Sequence, residues 1–178
     1  MYIVGKRTYL DQSSKTSLMT LFSIKTICYH RESIKIVRKS YVHQNSKNVG
    51  IQWDSFNIGQ NATVNFYQPN TSSIAVNRVL DSNASQIMGK LNANGQVFLL
   101  NPNGVIFSKT AQVNVGGIVA STLNVTDSDI ISGKFKLQNQ GNAASVENYG
   151  SVIANGGVVA FIAPTVINEG QIQAHSGT

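Results

Sequence analysis

Gly95-Gln96-Val97-Phe98-Leu99-Leu100-Asn101-Pro102-Asn103-Gly104 recurs in outline 62 positions on, as Gly157-Val158-Val159-Ala160-Phe161-Ile162-Ala163-Pro164. A second echo pairs Gly116-Gly117-Ile118-Val119-Ala120 with Gly156-Gly157-Val158-Val159-Ala160, 40 positions apart. A third pairs Asn148-Tyr149-Gly150-Ser151-Val152-Ile153-Ala154 with Asn168-Glu169-Gly170-Gln171-Ile172-Gln173-Ala174, 20 apart. These spacings are near one, two and three copies of one unit, and self-similarity at such a period is the signature of a solenoid. The repeated pieces are short, rich in Val, Ile and Phe, and punctuated by Gly and Asn-Gly. They read as strands and turns.

The composition agrees. Only 12% of the 178 residues are charged, and the polar surface is made of Asn, Gln, Ser and Thr. Stacked strands favour neutral amides, because like charges one strand apart, about 4.8 Å, would repel while Asn side chains can hydrogen-bond in a row. No run is long enough to span a bilayer as a helix. The net charge of +6 is uneven: residues 1–50 hold nine of the 14 basic residues against Asp11 and Glu32, a net of +7, and the rest carries −1. A nucleic-acid footprint would have to come from those fifty residues, which lack interleaved aromatics. The lone cysteine, Cys28, excludes an intrachain disulfide and a cysteine-based metal site.

The chain divides near Asn48. Residues 1–47 are expected to be poorly ordered or a degenerate signal region: Lys6, Arg7 and Lys15 precede an apolar stretch over 17–24, in secretory order, but no small-x-small cleavage site follows. The run Ser33 to Val42 fits either a strand or a basic helix. From 48 to 178 strands are expected at Ile74–Val79, Gln96–Leu100, Val105–Phe107, Val113–Val115 and Ile118–Leu123. Asp81 to Gly89 is expected to turn, with one helical turn at most, and 126–142 to leave the solenoid, as a hairpin for instance. The predicted fold is all-β, a single-stranded right-handed parallel β-helix. One coil buries five or six apolar side chains at roughly 1.5–3 kcal/mol each, against about 1–2 kcal/mol of backbone entropy per residue. Coils must therefore stack, and the ends need caps.

Trp53-Asp54-Ser55-Phe56-Asn57-Ile58-Gly59, Val64-Asn65-Phe66, Asn77-Arg78-Val79, the run Leu91 to Phe107 and Gln112 to Gly117 occur in the order found in one family. They closely resemble the N-terminal two-partner secretion (haemagglutination activity) domain of filamentous-haemagglutinin-like exoproteins of Gram-negative bacteria, over roughly residues 48 to 175. The resemblance implies a β-helix that crosses the inner membrane through the Sec machinery. It then engages the periplasmic domains of a dedicated outer-membrane β-barrel transporter and reaches the cell surface or medium. It implies a transporter-recognition motif at Asn101, Pro102, Asn103 and Gly104, and a secondary motif comprising Asn92, Asn94, Gly95, Trp53 and Phe56. It implies an adhesin or haemolysin as cargo and a host glycan or protein receptor. Residues 1–47 resemble neither the family's leader nor its capping segment, and the chain is short for a member, which admits a gene remnant as an alternative.

Each of these residues also has a purely architectural reading. Pro102 fixes φ and Asn103-Gly104 suits a tight turn, so the four residues make a good corner whatever reads it. Trp53 and Phe56 fit a capped core. No catalytic residue, cofactor or metal is expected: Asp127 and Asp129 read as a solvated loop, and His30, His43 and His175 are dispersed. An enzyme of the β-helix type would need paired carboxylates on one face. A direct glycan-binding module, using exposed Tyr67 and Tyr149 among amides, is the remaining rival.

Overall fold

The computed structural model describes residues 9–10, 22–29, 37–139, 141 and 143–175. The chain winds as a parallel β-helix of three sheets, to each of which coils 2 to 5 contribute one strand. Coil 1 holds β3 (Val37–Gln44) and β4 (Asn48–Trp53); coil 2 holds β5 (Ala62–Tyr67), β6 (Ile74–Val79) and β7 (Ser85–Ile87). Coil 3 holds β8 (Lys90–Ala93), β9 (Gln96–Leu100) and β10 (Val105–Phe107). Coil 4 holds β11 (Gln112–Val115), β12 (Gly117–Ser121) and β13 (Ser145–Asn148). Coil 5 holds β14 (Ser151–Asn155), β15 (Val159–Ile162) and β16 (Thr165–Asn168), and β17 (Gln171–His175) opens coil 6. Sheet I runs β3-β5-β8-β11-β14-β17, sheet II runs β4-β6-β9-β12-β15, and sheet III runs β7-β10-β13-β16, all parallel.

Alternation within each strand sends one set of side chains inward. Val49, Ala75, Val97, Ile118 and Val159 form one inner column of sheet II, and Ile51, Asn77, Leu99, Ala120 and Phe161 the next. Val64, Leu91, Val113 and Val152 face them from sheet I, and Ile87, Phe107 and Val146 from sheet III. Toward the last described coil the cover thins, and Val166 and Ile172 are half exposed.

The ladder registers correct the reading of the echoes. Ser85 pairs with Val105, Ser145 with Thr165 and Ser151 with Gln171, one coil of 20 residues. Ile118, however, pairs with Val159, 41 positions away, although they are adjacent coils. The spacing near 40 is therefore one coil plus an insertion, and the 62-residue echo spans two coils rather than three. Gly116 lies over Gly157: a Cβ on Gly157 would sit 2.5 Å from the Gly116 carbonyl oxygen.

The insertion is the expected excursion, but its tip is a helix, α1 (Asp127–Ser132), not a hairpin. Thr126 caps it, its hydroxyl accepting from the Asp129 amide at 3.2 Å, and Gly133 ends it at φ +69°. Asp127 and Asp129 sit in its first turn, where the helix dipole favours acids. Backbone bonds between Asn124 and Gln138 close the neck. The segment folds back across the outside of sheet II toward coil 1. There Val125 and Ile130 pack with Val76 and Leu100, flanked by Ile74, Phe98, Phe135 and Leu137. Arg78 pairs with Asp127, and a Cβ on Gly50 would stand 3.1 Å from Ile130. The excursion thus straps coil 4 to coils 1 to 3.

Three further expectations change. Ser85–Ile87 is a strand, because β10 below it supplies a full parallel ladder that the Ser-Asn-Ala-Ser composition does not advertise. The undecided run before Val42 is a strand from Val37, bonded in parallel to β5, so the coil begins ahead of the boundary expected at Asn48. Capping strands also precede that boundary: β1 (Tyr9–Leu10) lies antiparallel to β4, and β2 (Phe22–Tyr29) antiparallel to β3, closing the first edges of sheets II and I. Most of the candidate signal stretch over 17–24 lies outside the described residues.

Ile130→Ala removes the strap's deepest side chain and should cost about 2–4 kcal/mol. Hydrogen exchange should then quicken in β4 and β6 as well as in α1. Faster exchange confined to 124–138 would show that the strap does not clamp the coils beneath it.

Candidate functional site

The corner between sheets II and III repeats on successive coils, as Asp54–Asn57, Leu80–Ala84 and Asn101–Gly104. The excursion leaves from the same corner of coil 4. In Asn101–Gly104 each residue has a separate task. Asn101 is fully buried, and its Nδ2 donates to the Asn83 carbonyl and to Ser85 Oγ, both at 3.0 Å. Its Oδ1 accepts from the Asn103 amide at 2.9 Å, and its carbonyl accepts from the Gly104 amide at 2.9 Å, closing the turn. Asn103 is exposed and donates Nδ2 to the Asp81 carbonyl at 2.8 Å. Gly104 has φ +106°, and a Cβ there would stand 2.9 Å from the Ser145 carbonyl oxygen. Asn101 therefore builds the corner from inside, while Pro102 and Asn103 form its visible edge.

That edge borders a cavity of about 240 Å³ lined by Gln52, Arg78, Leu80, Asp81, Pro102 and Asn103 among others. A neighbouring cavity of about 410 Å³ shares Arg78 and Asn124 and reaches the helix at Asp127 and Ser128. Leu80 is 65% exposed on the lip. The Arg78 guanidinium lies between the two cavities, bound to Asp127 and to the Val125 carbonyl.

None of the secondary residues lies at Asn101–Gly104 itself, although Phe56 falls in the same corner two coils earlier. Asn94 and Gly95 sit at the corner between sheets I and II. There Asn94 exchanges two hydrogen bonds with the Gln68 backbone, at 2.7 and 2.8 Å, and the Gly95 amide donates to Gln68 Oε1. Asn92 lies on the outer face of sheet I and donates to Asn65 at 3.0 Å. Trp53 and Phe56 are core, packed edge to face at a centroid distance of 5.5 Å. The Trp53 indole donates to Asn77 Oδ1 at 2.9 Å, which explains a buried amide in an otherwise apolar column. Sequence reasoning quoted Asn77 in a motif without its buried bond to Trp53, and it missed Gln68 and Gln44. Gln68 bridges Gln44, Ser73 and Gln96 in a buried network, and only the equivalence of corners would have pointed to it. Tyr149 donates its hydroxyl to Glu147 at 3.0 Å, and that bond, with slight desolvation and the nearby carboxylates Glu147 and Glu169, holds the phenol above its ordinary value.

Asn101→Ala leaves the buried Ser85 hydroxyl without its donor and removes the bond to the Asn83 carbonyl, and should cost about 1–3 kcal/mol. Asn103→Ala removes one exposed bond and should cost less than about 1 kcal/mol. Denaturant titrations of the two variants check the split, and equal losses would mean that both residues hold the corner.

Residues 24–178 match the family described as the TPS secretion domain. A heme/hemopexin-binding protein of Haemophilus influenzae is 41% identical over 147 residues, covering 78% of this chain. A second protein of that name and species is 52% identical over 84 residues, 47% of the chain. The matched parts are 16% and 9% of those proteins' lengths, so this chain spans a small fraction of the relatives it resembles. Among solved structures, the HMW1 secretion domain from Haemophilus influenzae superposes with a TM-score of 0.71 at 32% identity, over 86% of this chain and 41% of that one. A parallel β-helix with this corner, and a family match over most of its length, make the chain a member of the TPS secretion domain family.

Proposed function

We propose that the chain is the export-targeting domain of a longer exoprotein, recognised by an outer-membrane β-barrel transporter through that transporter's periplasmic domains and released at the cell surface. Delivery to the periplasm would use the Sec machinery. The observation that carries this reading is the division of labour at Asn101–Gly104 in a chain of this family: Asn101 spends its whole amide on the fold, while Pro102 and Asn103 remain on the surface beside a cavity. The family is one of secretion domains rather than enzymes.

The stacking supplies a physical reason for directional release. Each coil laid down offers a full ladder of donors and acceptors to the next, so emergence and folding reinforce each other. The strap adds a second step, because its apolar residues find their places only after coils 1 to 3 are present. For the cargo, adhesion is the reading that the sequence resemblance suggests. The names of the two curated relatives support a second one, in which the longer protein captures haem or hemopexin.

Fused behind a working Sec signal, the chain should reach the medium only when a cognate transporter is co-expressed. Asn103→Ala should reduce release several-fold while the melting temperature stays near that of the parent. Release without a transporter would refute the export role, and undiminished release of the Asn103 variant would remove the corner's edge from recognition.

A further inference from the structure

We propose that the outer face of sheet I binds an anionic polysaccharide, in a site formed by Lys39 and Lys90, Asn65 and Asn92, and Tyr67. The site lies on a different side of the helix from the Asn101–Gly104 corner and shares only Asn92 with the secondary motif.

The register places three unlike columns side by side. Lys39, Thr63 and Lys90 share one column of β3, β5 and β8, which sets the two lysines two strand spacings apart, about 9.6 Å. Tyr41, Asn65 and Asn92 form the next column, about 7 Å along the strands. His43 and Tyr67 form the third, their rings stacked at 5.0 Å, with Tyr41 stacked on Tyr67 at 6.1 Å. Tyr67 is 49% exposed although it stands in a capped, fully covered coil. Its ring partners both belong to coil 1, and the coil 3 residue next in line after the Phe66–Ala93 pair is Asn94, whose amide is engaged by the Gln68 backbone. The side of the ring toward coil 3 therefore faces no aromatic neighbour.

The electrostatics select the sign of the ligand. Among the described residues no Asp or Glu occupies an outward position of this face: past β8 these positions are Gln112, Asn114, Ser151, Ile153, Asn155, Gln171, Gln173 and His175, and on the capping strand β2 the register sets Ser23, Lys25 and Ile27 opposite His43, Tyr41 and Lys39. The six described acids lie elsewhere: Asp54, Asp81, Asp127 and Asp129 at the sheet II–III corner and its excursion, Glu147 on sheet III, and Glu169 at the turn between β16 and β17. The single ion pair among the described residues, Arg78 with Asp127, also lies there. Among the described residues no carboxylate stands beside Lys39 or Lys90, of which Lys90 is exposed and Lys39 half-buried. A lysine column alone would suit any polyanion. The row of amides between the lysines and an exposed ring adds what a sugar needs: donors and acceptors for hydroxyls, and an apolar surface for the C–H face of a pyranose. Tyr149, the other candidate ring, is disqualified by Glu147 on its hydroxyl, which would repel the same ligand.

The test is titration of the chain with a dextran sulfate oligosaccharide, with neutral dextran of equal length and with a single-stranded polynucleotide, at ~0.15 M salt to suppress loose ion pairing. Dextran sulfate should bind and neutral dextran should not. The Lys39→Gln/Lys90→Gln double variant and Tyr67→Ala should each weaken binding about tenfold, and Lys134→Gln on the excursion should leave it unchanged. All three variants alter exposed or half-exposed side chains, and a thermal melt verifies that they fold. Absence of dextran sulfate binding would overturn the proposal. So would binding indifferent to Tyr67→Ala, equal weakening by Lys134→Gln, or a polynucleotide held as tightly as the sulfated sugar.

Discussion

Every strand in this helix obtains its backbone hydrogen bonds from the coils before and after it, and that single requirement organises the rest. A parallel ladder tolerates no drift in register, since a slip of one residue would turn the inward column outward. Coils of 20 to 27 residues follow, apart from the one that carries the excursion, and so do side-chain amides wherever the backbone leaves the ladder to turn. Asn101 shows the consequence most clearly. Its side chain ties its own corner to Asn83 and Ser85 in the coil before, while its backbone amide donates to Ser121 in the coil after. Gln68 and Asn148 do comparable work at the other two corners, the latter donating to Asn168 one coil on.

The strap answers a weakness of that design. Nearest-neighbour stacking alone lets a solenoid open one coil at a time. By returning from coil 4 to Gly50 in coil 1, the excursion introduces long-range contacts into a fold otherwise built from adjacent ones. Its attachment is mainly apolar, through Val125 and Ile130, with Arg78 and Asp127 setting its position. The outer face of sheet II is therefore a small second core, which accounts for Val76 and Leu100 being buried on the side of the sheet away from the helix interior.

Charge is sorted by side. Four of the six described acids lie at the sheet II–III corner and its excursion, and the lysines of sheet I stand beside aromatic rings and amides. The basic excess that sequence composition assigned to the first fifty residues is in part a property of this folded face, because β3 is a strand of sheet I and not a loose tail. The visible edge of the corner and the sheet I face are chemically distinct, one setting Leu80 and Pro102 beside Arg78 and Asp81, the other cationic and amide-rich.

The sequence alone determined the class of fold, because glycine-bounded apolar runs recurring about every twenty residues have few other solutions. It also determined the family, through an ordered series of motifs. Strands with strong alternation, such as Gln96–Leu100 and Val105–Phe107, could be placed before any coordinates. Tertiary structure alone decided how many coils separate two echoes, since an insertion of one coil's length mimics an extra repeat. It made a strand of Ser85–Ile87, whose polar residues gain their ladder only from neighbours far along the chain. It decided, too, which asparagine of Asn-Pro-Asn-Gly faces inward. Composition is the same for both residues, and only the packing of the adjacent coils buries Asn101 and leaves Asn103 in solvent.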